Sequence, residues 1–81
     1  MEQDIEKEVI GMLSKMTDFD PQEITPNMRI VEDLNVDSLK VIEIGTAIEQ
    51  KYKINITESQ LIKIKTVKDC IKLIKTLLNR K

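Results

Sequence analysis

The sequence predicts an all-α domain of four helices, the third of them short, with a long ordered loop between the first and the second. Three observations carry this expectation. The apolar residues, 41% of an 81-residue chain, are almost all Ile, Leu, Val and Met, with Phe19 and Tyr52 the only aromatics, so packing between helices is the natural way to bury them. Four segments repeat their apolar residues every three or four positions, the period of a helix. No internal repeat, low-complexity tract or linker divides the chain, so residues 1–81 are read as one domain, near the lower size limit for folding without a metal or disulfides.

The first stripe is Ile5, Val9, Met12, Leu13 and Met16, about three turns of helix. Its acidic start, Glu2, Asp4, Glu6 and Glu8, suits the positive end of the helix dipole; Asp4 or Gln3 is the expected cap, and Asp20-Pro21 the stop. Thr17 to Val36 follows, twenty residues with two prolines and no sustained period. A loop of that length in a small domain is disordered or functional. Ile24, Met28, Ile30 and Leu34 recur along it and can pin it to the helices, so an ordered strap is expected, with a short helical turn near Pro21 to Ile24.

Asp37 offers an N-cap oxygen to a second helix, from about Ser38 to Lys51, with Leu39, Val41, Ile42, Ile44, Ala47, Ile48 and Tyr52 at helical spacing. Lys40, Glu43, Thr46, Glu49 and Gln50 fall on its polar side. Thr57 with Gln60 forms a capping-box pattern before Leu61 and Ile62 and predicts the short third helix. Thr66 with Asp69 repeats the pattern before the last stripe, Val67, Cys70, Ile71, Ile74, Leu77 and Leu78.

Composition excludes several functions. Cys70 is the only cysteine and there is no histidine, which removes an internal disulfide, a soft-ligand metal site and any imidazole to take a proton from Ser38 or Cys70. The chain is not expected to be an enzyme. No apolar run reaches the length of a membrane span and the N-terminal residues are acidic, so a soluble, reducing, cytoplasmic setting is expected, without membrane insertion. Two aromatics cannot make a base-stacking surface, and no nucleic-acid partner is expected. Charge is unevenly placed: residues 1–62 hold thirteen acids and six bases, whereas residues 63–81 hold Asp69 and seven bases. The default reading of that basic segment, Lys63, Lys65, Lys68, Lys72, Lys75, Arg80 and Lys81, is a solvated helix face. Cys70 reads as a buried small hydrophobe.

Ser38 has two readings. It can be a helix start and nothing more, because Asp and Ser are favoured at that boundary for local hydrogen-bonding reasons. It can also be a residue the domain presents: it follows a long ordered loop, and it stands where a helix N-terminus attracts a phosphate.

The stretch "EDLNVDSL", the helix "VIEIGTAIEQKY", the passage "INITESQLIKIKTVKD" and the closing apolar helix together resemble an acyl carrier protein over nearly the whole chain. The resemblance implies the four-helix bundle of that family. It implies that Ser38 is esterified by 4′-phosphopantetheine, whose thiol carries acyl groups as thioesters, with Asp37 and Leu39 as the flanks of the attachment motif. Asp37 would assist recognition by the phosphopantetheinyl transferase, and Leu39 would anchor the helix start in the core or at its rim. Lys40, Glu43, Thr46 and Glu49 would face partner enzymes that transfer, ligate or condense acyl groups, and the protein would be a monomer. In such a carrier the reactive chemistry belongs to the cofactor and the protein supplies position, shelter and an address.

The departures matter. Asn35 stands where the family often has glycine, and asparagine tolerates a left-handed backbone better than other side chains do. Lys40 stands where bacterial fatty-acid carriers commonly have an acid, which weakens the acidic face and points to a specialised carrier in fatty-acid or related lipid synthesis. Carriage of polyketide, peptide-derived or aminoacyl intermediates stays open, as does an unmodified helical interaction module. Gly45, inside a helix, implies either close helix packing or a cleft between the second and last helices that admits an acyl chain. Met12, Met16 and Met28 read as ordinary core.

Overall fold

The computed structural model describes residues 4–80, and its helices are α1 (Ile5–Met16), α2 (Ser38–Tyr52), α3 (Glu58–Lys63) and α4 (Val67–Asn79), with a 3-10 turn at Pro21–Glu23. The alternative cap Gln3 lies outside the described residues. Asp4 fills the role, its side chain accepting from the Lys7 N–H at 3.1 Å. Each later helix also begins where its cap predicts: the side chains of Asp37, Thr57 and Thr66 accept from the backbone N–H three residues on. The capping boxes at Thr57 and Thr66 are both closed by their partners Gln60 and Asp69.

α1 packs chiefly on α4, and α2 touches α4 more lightly. Val9 and Leu13 of α1, Ile44 and Ile48 of α2, and Val67, Cys70, Ile71 and Ile74 of α4 form the centre of the core. Met12, Met16 and Met28 are half-buried against it, as the sequence implies. Tyr52 closes the far end of α2, its ring buried and its hydroxyl donating to the Glu8 carboxylate of α1 at 2.7 Å. Burial first, and the Glu8 carboxylate second, hold the Tyr52 phenol well above its ordinary range.

The long loop is part of this core. Ile24, Ile30 and Leu34 are each no more than 4% exposed. The radius of gyration, 11.7 Å, is that of a compact chain of this length, about 12 Å, so the loop lies against the helices. What holds it is the N-terminus of α4. The first N–H groups of a helix lack partners within it, and here the Val67 and Lys68 N–H groups donate to the loop carbonyls of Met28 and Pro26 at 3.0 and 2.8 Å. The Ile30 N–H donates in return to the Lys65 carbonyl at 2.9 Å.

Asp69 serves the same junction from the other side. Its Oδ2 accepts from the Lys65 and Thr66 N–H groups, both at 3.1 Å, and these two donors hold its carboxyl below the ordinary value of 3.8. Asp69→Ala is expected to destabilise the fold by about 1 kcal/mol at neutral pH through the lost cap. A carboxylate whose folded pKa is depressed contributes its stability above the unfolded value and loses it as pH falls through the folded value. The difference between the two proteins should therefore shrink below about pH 4, which thermal melts from pH 7 down to pH 3 would show.

Two backbone positions carry avoidable strain or freedom. Lys53 ends α2 in the left-handed region at φ 55°, and Gly11 sits mid-helix in α1 with nothing within 4 Å of where a Cβ would stand. Opposite replacements should both stabilise. Lys53→Gly removes the steric cost of a left-handed side chain and Gly11→Ala removes backbone freedom from the unfolded chain, each by about 1 kcal/mol. Chemical denaturation of the two single variants checks this.

Candidate functional site

The loop delivers the chain to α2 through a tight reversal. The Val36 N–H donates to the Val31 carbonyl at 3.2 Å and Asn35 takes φ 57°, so asparagine does supply the left-handed turn that glycine would. Arg29 braces the loop, pairing with Glu32 at 2.8 Å and with Asp33 at 3.3 Å. Arg29 in turn holds the Asp33 carboxyl below its ordinary range, chiefly through its backbone N–H.

Asp37 is the N-cap of α2, its Oδ1 accepting from the Lys40 N–H at 2.9 Å, and Ser38 is the first helical residue. The helix start therefore rests on Asp37. Ser38 is exposed, and among the described residues none exchanges a hydrogen bond with its hydroxyl.

Leu39 departs from expectation. It is 68% exposed and anchors nothing in the core, because at the first turn of α2 the core side of the helix is taken by Val41 and Ile44. Ile42 is likewise exposed, at 52%. Ile42, Val31 of the loop and Ile62 of α3 are exposed aliphatic residues that line the same cavity as Ser38.

The cavity that Ser38 borders is open, about 760 Å³, and lies between α2, α3 and the loop. Its walls are mostly aliphatic, among them Val41, Ile42, Leu61 and Ile64, with Gly45 on the α2 side. The cleft expected between the second and last helices is thus corrected in position: no α4 residue lines it, since α4 is occupied in the core with α1. A smaller cavity on the other side of the α2 start is lined by Asp18, Asn35, Asp37 and Lys40 among others, and is mainly polar.

The four α2 residues expected to face partner enzymes divide by what they touch. Lys40 pairs with Glu43 at 3.4 Å, so two residues of the outer face partly neutralise each other. Thr46 is exposed at the cavity rim and its hydroxyl donates to the Ile42 carbonyl at 3.1 Å. Glu49 is half-buried, and its carboxylate accepts from the Ile56 N–H at 2.8 Å, so it fixes the turn between α2 and α3. Glu43 keeps the more exposed carboxylate.

The residues around Ser38 fit a phosphopantetheine group: the hydroxyl is unencumbered, the helix N-terminus favours the phosphate charge, and an apolar cavity opens alongside. When bound, that group supplies a thiol that carries acyl chains as thioesters. Cys70 does not compete for such chains. It is buried in the core, and burial, with Asp69 adding, pushes its thiol up to about 12, leaving almost no thiolate to attack a thioester. Among the described residues no His, Cys, Asp and Glu cluster could hold a metal, and no helix is long and apolar enough to cross a membrane.

Comparison with known proteins agrees with this geometry. A family profile described as the phosphopantetheine attachment site matches residues 7–74. The acyl carrier proteins of Rickettsia massiliae and Rickettsia prowazekii are each 45% identical to this chain over 71 residues, covering 88% of it and 83% of their own length. Among solved structures, the acyl carrier protein of Enterococcus faecalis superposes with a TM-score of 0.79 at 26% identity, covering 90% of this chain and 92% of that one. The apo doublet acyl carrier protein from prodigiosin biosynthesis shares the fold, with a TM-score of 0.76 at 24% identity over 89% of this chain and 35% of that one. A free serine hydroxyl at the head of α2, the four-helix fold and relatives matched over most of the chain converge on one conclusion: the chain belongs to the acyl carrier protein family, the family that carries its cargo on 4′-phosphopantetheine.

Proposed function

We propose that Ser38 is the residue esterified by 4′-phosphopantetheine, and that the protein carries acyl thioesters between enzymes of fatty-acid or related lipid synthesis. The observation that carries this is the Ser38 hydroxyl, exposed and unbonded at the head of α2 beside an apolar cavity. The protein acts as a monomeric carrier in the reducing cytoplasm and leaves catalysis to its partners. Asp37 holds the helix start in the shape a phosphopantetheinyl transferase would read, and Leu39, Ile42 and Glu43 present an aliphatic surface with a carboxylate to enzymes that transfer, ligate or condense acyl groups. The Lys40–Glu43 pair weakens the negative field of that face. Partners selected for a strongly acidic helix would therefore meet this carrier more slowly, which favours a specialised pathway over bulk fatty-acid synthesis.

The cavity shelters the acyl chain. Its walls remove methylenes from water at about 0.8 kcal/mol each, and Ser38 is among its lining residues, so a chain attached there lies beside it. The test is the intact mass of the folded protein before and after incubation with coenzyme A and a broad-specificity phosphopantetheinyl transferase. A single phosphopantetheine-sized gain is expected. No gain, with a known carrier modified in parallel, would leave an unmodified helical interaction module.

A further inference from the structure

We propose that Leu61 is a movable stop in the notch above Gly45, and that this pair sets the length of acyl chain the protein shelters. The inference rests on the carrier reading above and names what controls its specificity.

Gly45 is not a glycine for conformational reasons. It lies inside α2, and among the described residues no glycine has a positive φ. A mid-helix glycine is less stable than alanine there, so something must occupy the space a side chain would take. That something is Leu61. A Cβ at position 45 would stand 2.9 Å from Leu61 Cδ1, with the rest of the Leu61 side-chain tip just beyond, and no other residue is among its nearest neighbours. The contrast with Gly11, whose Cβ would meet nothing, shows that the constraint belongs to this site.

Leu61 is placed to move. It is half-buried, lines the cavity, and is not among the side chains that pack on the core. Its helix, α3, has only six residues and buries none of them fully. The atom nearest the notch is the free end of a flexible side chain, so a rotamer change vacates the notch without moving α2. In the resting arrangement Leu61 fills the notch, and on α2 the cavity lining continues past Gly45 to Thr46 and Glu49. A short chain lies in front of Leu61, and a longer one must displace the Leu61 methyls and lie over the bare backbone of Gly45.

The occupant is a flexible, unbranched aliphatic chain tethered at Ser38. Ser38 lines the cavity, and the aliphatic Val41, Ile42, Leu61 and Ile64 line it together with Gly45. Each methylene that finds room should slow attack on the thioester by about fourfold until the chain meets the stop.

The experiment loads Ser38 with straight-chain acyl-phosphopantetheines of increasing even length and measures two quantities for each: the rate of thioester cleavage by hydroxylamine, and the melting temperature relative to the unacylated holo form. Wild type, Leu61→Ala and Gly45→Ala are compared, with circular dichroism confirming the helices of each. In wild type, protection and melting temperature should rise with chain length and then level off. Leu61→Ala should move the plateau to longer chains by two or more carbons, and Gly45→Ala, which fills the notch permanently, should move it to shorter ones. Opposite shifts from two substitutions on different helices are not what a general loss of packing produces. Should either variant fail to fold, Leu61→Val and Gly45→Ser provide the same two directions. An identical plateau length in all folded proteins would overturn the proposal while leaving the carrier reading intact. No length dependence in wild type would overturn the sheltered cavity and the stop together, and failure to load Ser38 would overturn the carrier reading itself.

Discussion

Ser38→Ala should abolish phosphopantetheine attachment completely while leaving the fold untouched. The two halves of that expectation have separate causes. Attachment needs a hydroxyl nucleophile at this position, and alanine has none. Stability does not need it: the cap oxygen of α2 comes from Asp37, and the Ser38 side chain is exposed. The change in unfolding free energy should stay within about 0.5 kcal/mol, the range of surface substitutions without a specific contact. Asp37→Ala is the informative contrast, since it removes the acceptor of the Lys40 N–H and should cost about 1 kcal/mol. Intact mass and denaturant melts on the same samples check both. If Ser38→Ala were still modified, the attachment site would lie elsewhere.

Leu34→Ala should be among the most damaging single substitutions, although Leu34 lies in a loop. Its side chain is 2% exposed and belongs to the same buried cluster as the helices. Truncating a leucine so enclosed loses the transfer energy of its methyl groups and leaves a cavity, at about 2–5 kcal/mol. A domain of this size has about 4–12 kcal/mol of stability in all, so the variant should melt far below wild type. Val31→Ala, three residues earlier and 48% exposed, is the control and should change stability by no more than about 0.5 kcal/mol. Urea midpoints separate the cases. Equal, small effects at both positions would mean that the loop is not part of the core.

Much of this was legible in the chain because its causes are local. Asp4, Asp37, Thr57 and Thr66 each cap the helix they precede, through an N–H only three residues away. The hydrophobic spacing of Ile24, Ile30 and Leu34 marked the loop as ordered, and they are buried. Leu39 and Ile42 show where periodicity misleads. The second helix has apolar residues around too much of its circumference for all of them to face one core, and the stripe does not say which are left outside. Glu49 shows a second limit: it was read on a polar helix face, but its carboxylate reaches a backbone N–H seven residues on, in a turn whose path the helical pattern does not describe.

The sequence by itself determined four helices, their caps, and a serine at the head of the second, because helix period and capping hydrogen bonds operate within a few residues. Only the tertiary structure decided where the strap docks and where the cavity opens. The Met28 and Pro26 carbonyls meet the first N–H groups of α4 across some forty residues of chain, and Leu61 comes to rest over Gly45 from another helix. Those contacts depend on how the helices pack together, and no local rule of period or capping encodes that packing.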